Sequence, residues 1–125
     1  DFLGDWYAFG DTILRDLIAG AASAEEPSEI QLWPEHFDIA TEIGIGPARV
    51  GYGASPGDAA HPLPYVYAAP WTAPPQGDLF WNEAHFRGRS LGYDELCAAS
   101  DPIAAAAAFF AECRERMAAE HGSVS

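Results

Sequence analysis

The chain has 125 residues, 49% of them hydrophobic and 13% aromatic, which is enough apolar material for one buried core. Nineteen acidic residues face six basic ones, all arginine, and the formal net charge of −13 disfavours nucleic acid and acidic membrane surfaces as partners. No apolar run approaches the roughly 18 residues that cross a bilayer, so we expect no membrane partner.

The first predicted element is an amphipathic helix over residues 1–19. Its apolar residues recur at spacings of three and four: Phe2, Trp6, Phe9, Ile13 and Leu17. Gly20 is expected to end the helix, because glycine accepts the left-handed backbone common at helix ends. Residues 21–28 are small, charged and proline-bearing, which predicts a surface loop.

The middle of the chain has the alternation typical of strands. Phe37, Ile39, Thr41 and Ile43 alternate with more polar residues, so one half-buried strand is predicted there. The predicted strands cover 30–33, 37–43, 49–52, 65–69 and, more weakly, 86–91. Residues 55–58 carry proline and glycine where a type II turn favours them.

The C-terminal region is predicted to be helical. A short helix over 94–99 precedes a long one that Ser100 or Asp101 can cap, with Pro102 in its first position. The predicted buried stripe of the long helix is Ile103, Ala106, Ala107, Phe110 and Met117.

This order of elements predicts a single α+β domain over 1–125. A small, mostly antiparallel β-sheet would pack with an N-terminal and a C-terminal amphipathic helix. Since the chain begins with Asp1 rather than Met, it is expected to be either the whole domain or the C-terminal part of a longer chain. Two cysteines, Cys97 and Cys113, occur without a secretory signal, which favours reduced thiols and a cytoplasmic location.

The densest polar cluster lies between Trp33 and Asp38. On a strand, His36 and Asp38 share one face, and Glu42 follows on that face. The imidazole and the carboxylate are candidates for a catalytic pair, a general base oriented by an acid. They also suit a divalent metal, whose further ligands would come from Asp58, His61 or His85. The plainer interpretation is a polar strand face with structural hydrogen bonds.

Aromatic residues supply the candidate ligand-binding surface. Tyr65 and Tyr67 share one face of their strand, and aromatic side chains often line pockets for small organic molecules. The candidate ligand-binding residues are Tyr65, Tyr67, Trp71, Trp81, Asp58 and His61. The alternative is that these aromatics fill the core.

Two further motifs are of the kinds that bind phosphate or carboxylate groups. The glycine-rich segment 51–58 lacks the lysine and the following helix that a phosphate-binding loop needs, so a shaped turn is the better interpretation. Arg87 and Arg89 lie on one side of a predicted strand and could hold a carboxylate or phosphate. Pairing with the many acidic residues of this chain is the alternative.

Several ordered motifs together resemble an uncharacterised actinobacterial protein family. They are LWPEHFD at 32–38, YGASPGD at 52–58, HPLPYVY at 61–67 and PW at 70–71. The resemblance implies an α+β fold with additional strands before the first helix. It implies no activity and no catalytic residue.

Three functional hypotheses follow. The first is a small-molecule-binding or enzymatic domain with a cleft lined by His, Asp and aromatic residues. The second is a structural or protein-interaction module that forms a homodimer and has no catalytic function. The third is a divalent-metal-binding protein that uses His36, Asp38 and His61. The sequence indicates no particular cofactor, ligand or reaction.

Overall fold

The computed structural model describes residues 2–34, 37–59, 61–74, 78–83, 86 and 88–121. The helices and strands in chain order are α1 (Phe2–Gly20), β1 (Gln31–Trp33), β2 (Asp38–Ile43), β3 (Val50–Ser55), β4 (Tyr65–Pro70), β5 (Arg89–Gly92), α2 (Tyr93–Ala98) and α3 (Pro102–His121). One antiparallel sheet accompanied by an N-terminal and a C-terminal helix confirms the predicted α+β class.

The sheet is a meander in which each strand pairs with its neighbour in sequence. Its order is β1-β2-β3-β4-β5, and every pair is antiparallel. Residues paired directly across two strands point to the same face. Ala40, Gly53 and Tyr67 form one such row across β2, β3 and β4. Thr41, Tyr52 and Ala68 form the adjacent row, on the opposite face.

The hydrophobic core lies on the face of the sheet that α1 and α3 cover. Its largest fully buried side chains include Tyr52 and Phe110, whose rings meet edge to face at 5.4 Å. Gly10 lets α1 approach the sheet closely, since a Cβ there would lie 2.9 Å from Cδ1 of Ile39. We call the other face of the sheet, which carries Asp38, Gly53 and Tyr67, the outer face.

The buried stripe of α3 differs from the predicted one. Ile103 and Ala107 are exposed, whereas Phe109 and Cys113 are buried beside Phe110. The long run of alanines explains this error, because alanine gives almost the same small surface on every side of a helix. At the start of the helix Asp101 is the cap, with Oδ1 accepting the N–H of Ala104 at 3.1 Å.

Several predicted strands have different limits in the structure. β5 begins at Arg89 rather than near residue 86, and β2 begins at Asp38 because Phe37 has a left-handed backbone with φ of 56°. No helix among the described residues combines the length and the apolar composition needed to cross a membrane.

Candidate ligand-binding site

A tyrosine and a carboxylate on the outer face meet across three strands. The hydroxyl of Tyr67 on β4 donates a hydrogen bond to Oδ2 of Asp38 on β2. Between them lies Gly53 of β3, which leaves room for the phenol ring to lie across the strand. A side chain at position 53 would block this reach, because its Cβ would come within 2.5 Å of Cζ of Tyr67.

The Asp38 carboxylate is buried but only half satisfied. Asp38 is 8% exposed, and its buried Oδ1 has no hydrogen-bond partner among the residues that the structure describes. Buried polar atoms in folded proteins almost always have a partner, so each exception calls for an explanation. Because this oxygen is closed to solvent, a donor from a bound molecule reaches it only when a group that covers it moves aside.

The backbone before Asp38 is held by the first helix. The hydroxyl of Tyr7 on α1 donates to the carbonyl oxygen of Phe37, the residue with the left-handed backbone. Burial and the nearby charge of Asp38 raise the pKa of Tyr7. A non-glycine residue in this conformation is strained, and such strain persists where surrounding contacts fix it. The contact from α1 therefore helps to fix the position of Asp38.

The second tyrosine of β4 ties the 56–61 loop to the same face. The Tyr65 hydroxyl donates to Oδ2 of Asp58 at 2.8 Å, and Oδ1 of Asp58 accepts the backbone N–H of His61 at 2.8 Å. The imidazole of His61 lies 4.5 Å from the Tyr65 ring, centroid to centroid. Tyr65 and Tyr67 are neighbours at 6.0 Å, and Phe86 meets the Tyr67 ring edge to face at 6.0 Å.

A buried glutamate orients His61. Nε2 of His61 lies 2.9 Å from Oε1 of Glu83, whose side chain is 3% exposed. The hydroxyl of Ser90 on β5 donates to the other oxygen of Glu83 at 2.8 Å. A carboxylate that fixes one ring nitrogen sets the orientation of the imidazole, as it does in acid–base sites.

The electrostatic potential at the tyrosine pair, Tyr65 and Tyr67, is negative. Burial is the largest cause that raises the pKa of Tyr67, followed by the charge of Asp38, with Glu42 contributing. Burial also raises the pKa of Tyr65, as do its hydrogen bond to Asp58 and the charge of Glu83. Each of these carboxylates opposes the formation of a phenolate, so a cation near the rings would be stabilised.

The structure thus brings together Asp38, Asp58, His61, Tyr65 and Tyr67 from the predicted site. Trp71 is exposed beyond the end of β4, and its indole N–H donates to Oε2 of Glu42 at 2.9 Å. Trp81 lies elsewhere, in the core cluster, where its N–H donates to Glu120 at 3.2 Å. His36 and His85 lie outside the described residues.

The predicted arginine motif and the predicted turn at residues 55–58 make contacts within the protein itself. Arg89 pairs with Glu112 at 3.6 Å, and its guanidinium stacks 4.3 Å from the ring centroid of Phe80. Arg87, its predicted companion, lies outside the described residues. Gly57 has the positive φ, 110°, that its predicted turn position favours, and its N–H donates to Oγ of Ser55. Among the described residues no three His, Cys, Asp or Glu side chains lie together as a metal site needs.

Sequence reasoning missed three residues of this site: Tyr7, Glu83 and Ser90. Glu83 sits in a stretch without periodicity, and nothing local marks it as the partner of a histidine 22 positions earlier. Tyr7 follows Trp6 of the apolar stripe of α1, and no sequence pattern marks it as a contact of the distant Phe37. Only the fold brings these residues to Asp38 and His61.

Comparison with protein-family models, with curated proteins and with solved structures found no match. The resemblance to an actinobacterial family therefore stays a prediction.

Proposed function

We propose that this protein binds a small organic cation on the outer face of its sheet. The observation that carries the proposal is that the buried Oδ1 of Asp38 has no hydrogen-bond partner in the described part of the chain. A protonated amine, amidine or guanidine would donate to this oxygen in a charge-assisted hydrogen bond, the stronger kind in proteins.

The surroundings of Asp38 support a cation over a neutral or anionic ligand. Four carboxylates place negative charge near the tyrosine pair: Asp38, Glu42, Asp58 and Glu83. Aromatic faces attract cations through their quadrupoles. The Tyr67 hydroxyl contacts this carboxylate, and the Tyr65 ring lies 6.0 Å from the Tyr67 ring. The net charge of −13 would also raise the local concentration of a cation.

Three compounds of one shape test the charge preference. Benzamidine is a cation, benzamide is neutral and benzoate is an anion, and isothermal titration calorimetry gives the affinity of each. We expect benzamidine to bind at least about tenfold more tightly than benzamide, with benzoate weakest, because a charge-assisted bond is worth about 1.5–3 kcal/mol.

A matched pair of variants locates the interaction. Asp38→Asn should lower the affinity for benzamidine about 10- to 100-fold. Asp16→Asn removes the same charge from an exposed position of α1 and should leave the affinity nearly unchanged. Equal affinities for the three compounds, or equal effects of the two substitutions, would contradict the proposal.

We propose the cytoplasm as the compartment. Cys97 and Cys113 are both free thiols in the structure. Free thiols fit a reducing environment.

The edge of the sheet favours a second candidate function, a module that pairs with a copy of itself. β1 is an edge strand whose three residues are all exposed, including the apolar Leu32 and Trp33. An exposed edge presents unpaired backbone groups, and two identical edges can pair antiparallel across a two-fold axis. The charge of −13 on each copy opposes this association at low salt.

Sedimentation velocity tests the second candidate. The native chain should form a dimer at high salt and dissociate at low salt, and Leu32→Lys should be monomeric under both conditions. Leu79→Lys makes the same charge change at a fully exposed site outside the strands and should behave as the native chain does. A native monomer at every salt concentration would exclude this function.

A further inference from the structure

The edge strand places a third aromatic side chain beside Asp38. Trp33 on β1 is paired directly with Asp38 on β2. Directly paired residues point to the same face, with Cβ atoms about 4.5–5.5 Å apart, so Trp33 lies on the outer face as a cross-strand neighbour of Asp38. Tyr67 reaches the same carboxylate from β4, on the other side of β2. Asp38 therefore lies between a tryptophan on one side and a tyrosine on the other.

Trp33 can adjust to a ligand in a way that Tyr67 cannot. Trp33 is 42% exposed, and among the described strands β1 pairs only with β2. Exposed side chains change rotamer within nanoseconds, so the indole can turn toward a bound molecule without disturbing the hydrophobic core. Tyr67, by contrast, is fixed by its hydrogen bond to Oδ2 of Asp38.

Two properties of this arrangement define the cation that it suits. Tryptophan is the aromatic side chain whose face attracts cations most strongly, and grouped aromatic rings are a recurrent way to bind methylated ammonium groups. Each methyl group also adds apolar surface that the rings can cover. Oδ1 of Asp38, however, needs a donor, so at least one hydrogen must remain on the nitrogen.

We propose, on the basis of the cation site at Asp38 proposed above, that this site takes an N-methylated ammonium that retains one N–H, with Trp33 as its aromatic wall. The N–H donates to Oδ1 of Asp38 once the group that covers this oxygen has moved aside, and the methyl groups pack on the indole. A protonated tertiary amine has both features. A primary ammonium lacks the methyl groups, and a quaternary ammonium lacks the N–H.

Four ligands that differ only in methylation test the inference: benzylamine, N-methylbenzylamine, N,N-dimethylbenzylamine and benzyltrimethylammonium. Calorimetry at low salt, where the charge of −13 opposes self-association of the chain, gives the affinity of each. The affinity should rise by about three- to tenfold over the first two methyl groups and fall at the third, which removes the last N–H. Any series in which the dimethyl compound is not the tightest ligand would overturn the inference.

Variants at two exposed tryptophans locate the aromatic wall. In Trp33→Leu the gain from methylation should vanish, and in Trp33→Phe, which keeps an aromatic face, part of it should return. Trp71→Leu makes the same change beyond the end of β4 and should keep the native order of affinities. A gain from methylation that survives in Trp33→Leu would overturn the inference.

The variant Asp38→Asn distinguishes failure of the aromatic wall from failure of the cation site. If Asp38→Asn weakens benzamidine but Trp33→Leu leaves the methylation series unchanged, the cation site stands and the assignment of Trp33 is wrong. If Asp38→Asn leaves the affinity for benzamidine unchanged, the cation site itself is wrong and the ligand class inferred for it falls as well.

Discussion

Asp38 is fixed by contacts from two distant parts of the chain. Tyr67 holds one carboxylate oxygen directly, and Tyr7 holds the carbonyl of the preceding residue. Both tyrosines are neutral at physiological pH, so the charge of Asp38 is not balanced by either of them. A carboxylate that these contacts fix in place, with one oxygen that has no partner among the described residues, is suited to bind a cation.

A double-mutant cycle measures how strongly Asp38 and Tyr67 are coupled. Tyr67→Phe should lower the free energy of unfolding by about 2 kcal/mol, since it removes a hydrogen bond to a buried carboxylate. Asp38→Ala leaves a phenol hydroxyl without its acceptor and should cost about 1–3 kcal/mol. The double variant should lose less than the sum, because no unpaired partner then remains. Urea denaturation gives all four values.

Asp16→Ala is the control for that cycle. Asp16 is exposed on α1, so its combination with Tyr67→Phe should be additive within about 0.5 kcal/mol. Additivity of Asp38→Ala with Tyr67→Phe to the same degree would show that the hydrogen bond contributes nothing to folding.

Individual residues of the site were predictable where a local pattern marked them. The period of two placed Asp38 and Glu42 on one face, and it placed Tyr65 and Tyr67 together. Which carboxylate each tyrosine would reach was not predictable, because that depends on the register of three strands. The sequence suggested His36 as the partner of Asp38, and His36 lies outside the described residues; the partner that the structure does describe is Tyr67.

β3 is the element that allows the site to form. Its residues Gly51 and Gly53 both face outward, and only Gly53 lies under the Tyr67 ring. Glycine weakens a strand interior, so its presence often marks a close approach by another group. Here the group that approaches is the phenol of the adjacent strand.

The two glycines provide a matched test at the level of the strand. In Gly53→Ala the new methyl group must displace the Tyr67 ring, so we expect a loss of about 1–3 kcal/mol in stability and weaker binding of benzamidine. In Gly51→Ala the nearest atom to the new Cβ lies 3.7 Å away, so stability should stay the same or rise by a few tenths of a kcal/mol. Thermal denaturation and calorimetry of both variants check this. Equal effects would contradict the account of Tyr67 lying across β3.

Helices and strands were predictable where their apolar residues recur at a regular spacing. The apolar spacing of α1 and the alternation of β2 identified both elements. The alanine-rich α3 was correctly located, but its buried side was not, since Phe109 and Cys113 were missed. The limits of β5 also depend on pairing with β4, which no local pattern reveals.

At the scale of the whole molecule, the two faces of the sheet have different roles. One face packs against the helices and supplies the hydrophobic core. The other carries the hydrogen bond from Tyr67 to Asp38 and a second set of polar contacts that joins Tyr65, Asp58, His61, Glu83 and Ser90. The sequence predicted both layers but not the loops that bring His61 and Glu83 beside β4. The high acidity of the chain is consistent with an outer face that attracts cations.

Tyrosine ionisation should limit stability at alkaline pH. Burial is the largest cause that raises the pKa values of Tyr52, Tyr65 and Tyr67 above the ordinary 10.0, and it raises that of Cys113 from 9.0 to about 11. The unfolded chain therefore loses these protons first as the pH rises. Their contribution to stability is complete below about pH 8 and is lost progressively above it, by at most about 1.4 kcal/mol per pH unit for each proton.

Urea denaturation between pH 8 and pH 11 checks this expectation, because this range spans the ordinary pKa values of cysteine and tyrosine, 9.0 and 10.0. The free energy of unfolding should fall with increasing steepness, and Tyr67→Phe should show a smaller slope above about pH 10. A stability that stays constant over this range would show that these groups titrate alike in the folded and unfolded chains.

A crystal structure of the protein with benzamidine tests the central claim most directly. The account predicts an amidinium nitrogen within about 3 Å of Oδ1 of Asp38, with the ligand ring against Tyr65 or Tyr67 and the hydrogen bond from Tyr67 to Oδ2 retained. Benzamidine bound elsewhere, or a side chain of the protein itself occupying Oδ1, would contradict the claim that this carboxylate is kept free for a ligand.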